Sequence, residues 1–228
     1  MLWLKAWCET KWRLFFGLAV PLAALIYTGT SGKSPENATA LMGTIEFFLL
    51  FITIFLAGTG IKTQPSFRPA KVLPRSLYFT LSLPVSRLTL LAVRVAVGLL
   101  ETLAASFLLA STVWLMFPTI RGSSSFFNSL ELALSVCLCI AVFHLVSVIS
   151  GIFLEDAWQN WGTLMVVAIF WWITSKIHLP ASYNVFLVTS AASPLVTHTL
   201  PWPAIAISVG ATAILFLLAW KIVQTREF

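Results

Sequence analysis

Two ionisable residues, Arg94 and Glu101, lie inside a long apolar run of this chain. A charged side chain within a bilayer costs several kcal/mol unless it is paired or hydrated, so each is by default a functional candidate. If the hydrocarbon begins near residue 91, a rise of about 1.5 Å per residue places Glu101 about 15 Å deep. We therefore identify Arg94 and Glu101 as candidates for a translocation pathway or gate. The alternatives are structural pairing for Glu101 and snorkelling to the membrane surface for Arg94.

Arg94 and Glu101 share one face of the predicted helix, since they lie two helical turns apart. A bridge between them would require both side chains to stretch, so we expect Glu101 to find its partner on a neighbouring helix or in water. His144 lies in the middle of another apolar run, without a second histidine at that depth. A hydrogen-bonded packing role is favoured over a ligand role for His144.

Patterns typical of catalysis in a membrane are absent from the sequence. It contains no H-E-x-x-H, G-x-S-x-G or C-x-x-C pattern, and no Walker A pattern for nucleotide binding. Cys8, Cys137 and Cys139 form neither a disulfide framework nor a metal-ligand spacing. We expect no enzyme, and no cofactor or metal bound by this chain.

The composition predicts a lipid-solvated fold. Of 228 residues, 59% are hydrophobic and 10% are charged, whereas about a quarter are charged in an ordinary soluble domain. A spanning helix needs about 20 mostly apolar residues. Six segments meet that length, at 13–29, 40–61, 88–117, 128–153, 161–179 and 203–223. The predicted fold is all-α: a single transmembrane helix bundle over residues 1–228.

The basic residues predict the orientation of these six spans. With the N-terminus inside, the outside holds only Lys33, Arg121 and Lys176, and the other basic residues except Arg94 lie inside. Those inside are Lys5, Lys11, Arg13, Lys62, Arg68, Lys71, Arg75, Arg87, Lys221 and Arg226. We expect both termini in the cytoplasm, in a plasma or inner membrane. The positive charge is a topology signal, so a nucleic-acid partner is not expected.

Two segments are predicted to be more than simple spans. Residues 2–14 place Lys5, Glu9 and Arg13 on one side and tryptophans on the other, which favours an interfacial amphipathic helix over an extension of the first span. The cytoplasmic loop 62–87 is partly apolar, so it is expected to contain a short helix that packs either on the bundle itself or on a soluble partner. Ser86 then caps the third span.

The stretch FTLSLPVSRLTLLAVRVAVGLLE at 79–101 resembles the loop and third helix of ABC-2-type permeases, the membrane subunits of ATP-driven exporters. The matching residues are Thr80, Leu81, Leu83, Pro84, Val85, Ser86, Arg87 and Arg94. The wider layout is similar to that family as well, with an interfacial N-terminal helix, six spans and both termini inside.

The resemblance implies that the segment around 75–86 is a coupling helix, which docks in a groove of a separate cytoplasmic ABC ATPase. ATP and Mg²⁺ would then be bound by that partner, and the assembly would contain a second permease copy or paralogue. The implied coupling residues are Arg75, Tyr78, Phe79, Leu81, Leu83, Pro84, Ser86 and Arg87. For Arg87, a role as a positive-inside anchor is equally open.

The expected function is therefore export of a hydrophobic or amphipathic compound by an ABC permease subunit. A haem-exporter-type permease subunit, which shares the size and layout, is one alternative. A secondary transporter driven by an ion gradient is another, although it would favour inverted repeats and helices broken at the midplane.

Overall fold

A computed structural model describes residues 2–30, 38–57, 86–154, 156–177, 179–188 and 191–225, and no strand occurs among them. The helices are α1 Leu2–Thr30, α2 Ala38–Leu56, α3 Arg87–Met116, α4 Pro118–Ser123, α5 Phe126–Phe153, α6 Asp156–Lys176, α7 Pro194–Thr197 and α8 Trp202–Thr225. Two 3₁₀ turns, Ala181–Tyr183 and Val185–Leu187, lie between α6 and α7. The all-α prediction is confirmed for the described residues.

Four helices, α1, α3, α5 and α8, are long and apolar enough to cross a membrane, which is consistent with a membrane protein. In the described part of α2, the apolar stretch is shorter, Ile45–Leu56. The 21 residues of α6 include the polar Gln159 and Asn160 in the first turns. Four of the six predicted spans therefore meet the criteria of length and apolar character. That α2 and α6 also cross the membrane is proposed below.

The centre of the bundle is α5, which packs against α2, α3, α6 and α8. Within its most apolar stretch 72% of residues are buried, against 17% in α1 and in α8. A helix that is apolar on all sides is expected at the middle of a bundle. The outer helices instead expose large apolar side chains, such as Phe15, Trp172 and Ile214. Exposed apolar surface of this extent is suited to lipid rather than to water.

The described parts of both chain ends lie at the same end of the bundle. There the last turns of α8 pack, through Ala219 and Val223, with Leu91 near the start of α3 and Ile152 near the end of α5. Glu9 of α1 contacts Arg94 of α3 in the same region, while Gly29, at the other end of α1, lies against Met116. Thus α1 and α3 run parallel from what we call the near end.

The structure differs from the sequence-based prediction for residues 2–14. These residues do not form a separate interfacial helix, because α1 continues without a break from Leu2 to Thr30. Neither glycine nor proline interrupts the chain between Leu2 and Phe16, and Thr10 is buried against the bundle. Side-chain contacts with α3 hold this part of the helix beside the first span.

The start of α3 matches the sequence-based prediction. Ser86 is its N-cap, and the Ser86 hydroxyl accepts a hydrogen bond from the backbone N–H of Thr89 at 3.1 Å. Arg87 is the first residue of the helix. An N-cap of this kind satisfies one of the orphan donors at a helix start.

Candidate functional site

A buried polar face on α3 brings together the groups that could carry function. Four buried residues lie on one side of this helix: Gly98, Glu101, Thr102 and Ser106. They share that side because residues three or four positions apart on a helix point the same way. Arg94 lies one turn before Gly98 on the same side. We call these five residues the polar face of α3. It meets α1, α2 and α5.

Glu101 is the most deeply placed carboxyl group in this region, with 3% of its surface exposed. Its Oε1 accepts a hydrogen bond from the Thr10 hydroxyl on α1. Its Oε2 has no hydrogen-bond partner among the described residues. The expectation of a partner on a neighbouring helix is confirmed, and one carboxylate oxygen remains available to a further donor.

Arg94 pairs with Glu9 on α1, and the Nη2 to Oε2 distance is 3.4 Å. Their side chains are 14% and 26% exposed, respectively. The Arg94 guanidinium thus lies against another helix, and the Glu9 side chain faces α3.

His144 on α5 packs directly against Gly98. A Cβ atom built on Gly98 would lie 2.3 Å from Cε1 and 2.6 Å from Nε2 of His144, so only glycine fits here. The ring is fully buried, and its Nδ1 lies 3.3 Å from the backbone carbonyl of Thr53 on α2. Because a carbonyl can only accept, Nδ1 carries the proton. His144 is therefore hydrogen-bonded and packed against a neighbouring helix, as the sequence analysis favoured.

Further polar contacts extend this region toward α2 and α6. The hydroxyl oxygens of Thr53 and Thr102 lie 3.5 Å apart. The Ser147 hydroxyl donates to the Ile54 carbonyl at 3.2 Å, and Gln159 Nε2 donates to the Ser147 carbonyl at 3.0 Å. Buried polar groups of five helices are therefore connected through neighbouring side chains, which is a costly arrangement in an apolar bundle unless each group is satisfied.

The chemistry available at this region is hydrogen bonding and ion pairing. In the described part of the chain, no group of three histidine, cysteine, aspartate or glutamate residues could hold a metal ion. Glu101 Oε2 and His144 Nε2, which has no hydrogen-bond partner among the described residues, could each bind a proton or a donor group.

Of the residues singled out from the sequence, the structure brings Arg94 and Glu101 into one polar face, each in contact with α1. Ser86 and the backbone of Arg87 lie at the near end, where α3 begins. The predicted coupling residues Arg75, Tyr78, Phe79, Leu81, Leu83 and Pro84 lie outside the described residues. Glu9, Thr10 and Gly98 are site residues that the sequence-based reasoning did not identify. No family model, curated protein or solved structure matches this chain.

Proposed function

We propose that this chain is the membrane-spanning permease subunit of an ABC-type exporter. It would move a hydrophobic or amphipathic compound with ATP hydrolysed, in the presence of Mg²⁺, by a separate cytoplasmic ATPase. The chain itself then contributes no catalytic residue and no cofactor site. It works in a plasma or inner membrane, paired with a second permease copy or paralogue.

One observation carries this proposal: α3 begins at the near end, directly after residues 75–86, and is tied to α1 by two polar contacts. These are the Arg94–Glu9 ion pair and the Thr10–Glu101 hydrogen bond. A displacement of the segment before Ser86 would move α3 as a rigid body. Because α1 is bonded to the same face, it would move with α3 or the polar contacts would have to break.

Six crossings with both termini in the cytoplasm complete the proposal. The shared location of the described chain ends supports an even number of crossings. Between the end of α5 near Ile152 and the start of α8 near Ala204, the chain must pass from the near end to the opposite end. Helix α6 fits this passage, since its first part contacts α5 through Gln159 and Gly151, and its later part through Phe170 and Phe143.

The test of the coupling segment is co-purification of the chain, from its native membranes, with an ATPase that contains a Walker A motif. Changing Tyr78 and Phe79 together to aspartate removes the apolar contacts that the ATPase groove would cover. We expect retention of the ATPase to fall about tenfold or more, as for central interface residues. The measure is the ATPase recovered per permease from detergent-solubilised membranes.

The matched control changes two exposed aromatic residues at the opposite end, Phe127 and Tyr183, to aspartate. This variant introduces the same charges and should keep the ATPase. Undiminished binding in the Tyr78 and Phe79 variant would show that the contact lies elsewhere.

If Glu101 has a role in the translocation pathway, a variant without its charge should transport slowly although it still folds. Glu101→Gln keeps an oxygen that can accept from Thr10 but removes the charge. We expect ATP-dependent efflux of a lipophilic dye to fall about tenfold, the worth of one charge-assisted hydrogen bond. Transport at the wild-type rate in a stable Glu101→Gln variant would reduce Glu101 to a structural role.

A secondary transporter is the second candidate, favoured by Glu101 Oε2 and His144 Nε2 in the buried polar region. Both groups can change protonation state, as coupling to a proton gradient requires. Efflux that persists without the ATPase and collapses when a protonophore removes the gradient would favour this candidate. A haem-exporter-type subunit would keep the ATP dependence and differ in substrate alone.

A further inference from the structure

An aromatic groove runs along the outer surface between α1 and α2, separate from the polar face of α3. Its volume is about 610 Å³, and it opens to the outside of the bundle. Six of the residues that line it are aromatic: Trp12, Phe16, Phe47, Phe48, Phe51 and Phe55. Such a groove can hold a flexible hydrocarbon chain, because aromatic rings provide large, rigid apolar contact surfaces.

The floor of the groove follows from the packing of its two helices. A Cβ atom on Gly17 would lie 3.0 Å from Cγ1 of Ile52, so glycine at this position lets α1 approach α2 closely. Exposed rings then form the walls, with Phe16 66% and Phe47 57% exposed. Exposing these apolar surfaces to water would cost free energy, whereas an acyl chain between them would make favourable apolar contacts.

A cationic group lies at one end of the groove. Arg13 is part of the lining, and its Nη1 donates to the backbone carbonyl of Phe55 at 3.2 Å. A guanidinium has five N–H donors, so this bond leaves capacity for a phosphate oxygen. From Arg13 to Val20 the groove extends along eight residues of α1, about 10 Å of helix. Charge at one end and apolar walls beyond it match the shape of a lipid.

We propose that this groove binds an anionic glycerophospholipid of the bilayer, with the phosphate on Arg13 and one acyl chain between the aromatic walls. The proposal rests on the membrane location of the chain and is independent of the transport activity. Charge complementarity selects the occupant: the Arg13 guanidinium attracts an anionic headgroup, and the arginine fork fits phosphate geometry.

The test measures quenching of Trp12 fluorescence by lipids with brominated acyl chains in reconstituted vesicles. The signal of Trp12 is the difference between the full chain and its Trp12→Phe variant, which keeps the wall aromatic. We expect brominated phosphatidylglycerol to bind about fivefold more strongly than brominated phosphatidylcholine, the effect of one basic group on an anionic lipid. Arg13→Gln should abolish that preference, and Lys221→Gln, which removes an exposed basic group from α8, should keep it.

A second variant tests the groove itself. Val20→Phe fills it from an exposed position and should weaken quenching by both lipids while the fold is retained. Three results would overturn the proposal. Equal quenching by the two lipids in the wild-type chain would indicate ordinary annular contact. A preference that survives Arg13→Gln would remove the headgroup site. Trp12 quenched by neither lipid would show that another part of the protein covers the groove.

Discussion

Replacing Gly98 with alanine is expected to destabilise the bundle by about 3 kcal/mol, at the upper end of overpacking effects. The added methyl group would overlap the ring of His144, whose atoms lie 2.3 and 2.6 Å from the required position. The ring has no room to withdraw, because it is fully buried and held by the Thr53 carbonyl. Unfolding of the detergent-solubilised protein, followed by circular dichroism, gives the measurement.

Two further variants separate this clash from a general effect of alanine. Gly210 on α8 has no atom within 4 Å of its ideal Cβ position, so Gly210→Ala should be neutral. In the Gly98→Ala, His144→Ala double variant the overlap is gone. Its stability should match that of His144→Ala alone, since contacting residues are coupled. Additive losses in the double variant would contradict the proposed fit.

Breaking the ion pair between Glu9 of α1 and Arg94 of α3 is expected to cause the second large loss of stability. Arg94→Leu leaves Glu9 without its cation, and we expect a loss of about 2–3 kcal/mol. Breaking a wholly buried ion pair costs about 3–5 kcal/mol. The expected loss of stability is smaller here because 26% of the Glu9 side chain is exposed. The same unfolding measurement in detergent applies.

Removing both partners should cost less than removing Arg94 alone. A Glu9→Leu, Arg94→Leu double variant has no orphaned charge, and apolar replacement of an ion pair is often nearly neutral. Lys11→Leu, an exposed change on the same turn of α1, serves as the control and should stay within about 0.5 kcal/mol of the wild type. If the double variant lost as much as the two single variants together, Arg94 and Glu9 would not be coupled.

The extents of the helices could be predicted because they depend on local sequence. The predicted span 128–153 corresponds to Phe126–Phe153, and 203–223 corresponds to Trp202–Thr225. The apolar runs set the lengths, and residues such as Ser86 fix the helix starts. Residues 2–14 were misjudged because the amphipathic pattern describes one helix face, whereas continuity with the first span depends on the absence of a helix breaker.

The partners of the site residues could not be predicted, because they depend on which turns of different helices meet. Spacing within α3 places Arg94 and Glu101 on one face, but it contains no information about Glu9 or Thr10. Gly98 is a similar case. A glycine in an apolar helix is compatible with many close contacts, and only the packing of α5 shows that a histidine ring occupies the space.

The parallel pairing of α1 and α3 has a consequence for how the chain is made. Thr10 precedes its partner Glu101 by 91 residues, and Glu9 precedes Arg94 by 85. Chains emerge from the ribosome N-terminus first, so a hydroxyl and a carboxylate are already in place when the charged stretch of α3 arrives. We therefore expect an earlier segment of the same polypeptide to assist the insertion of that stretch.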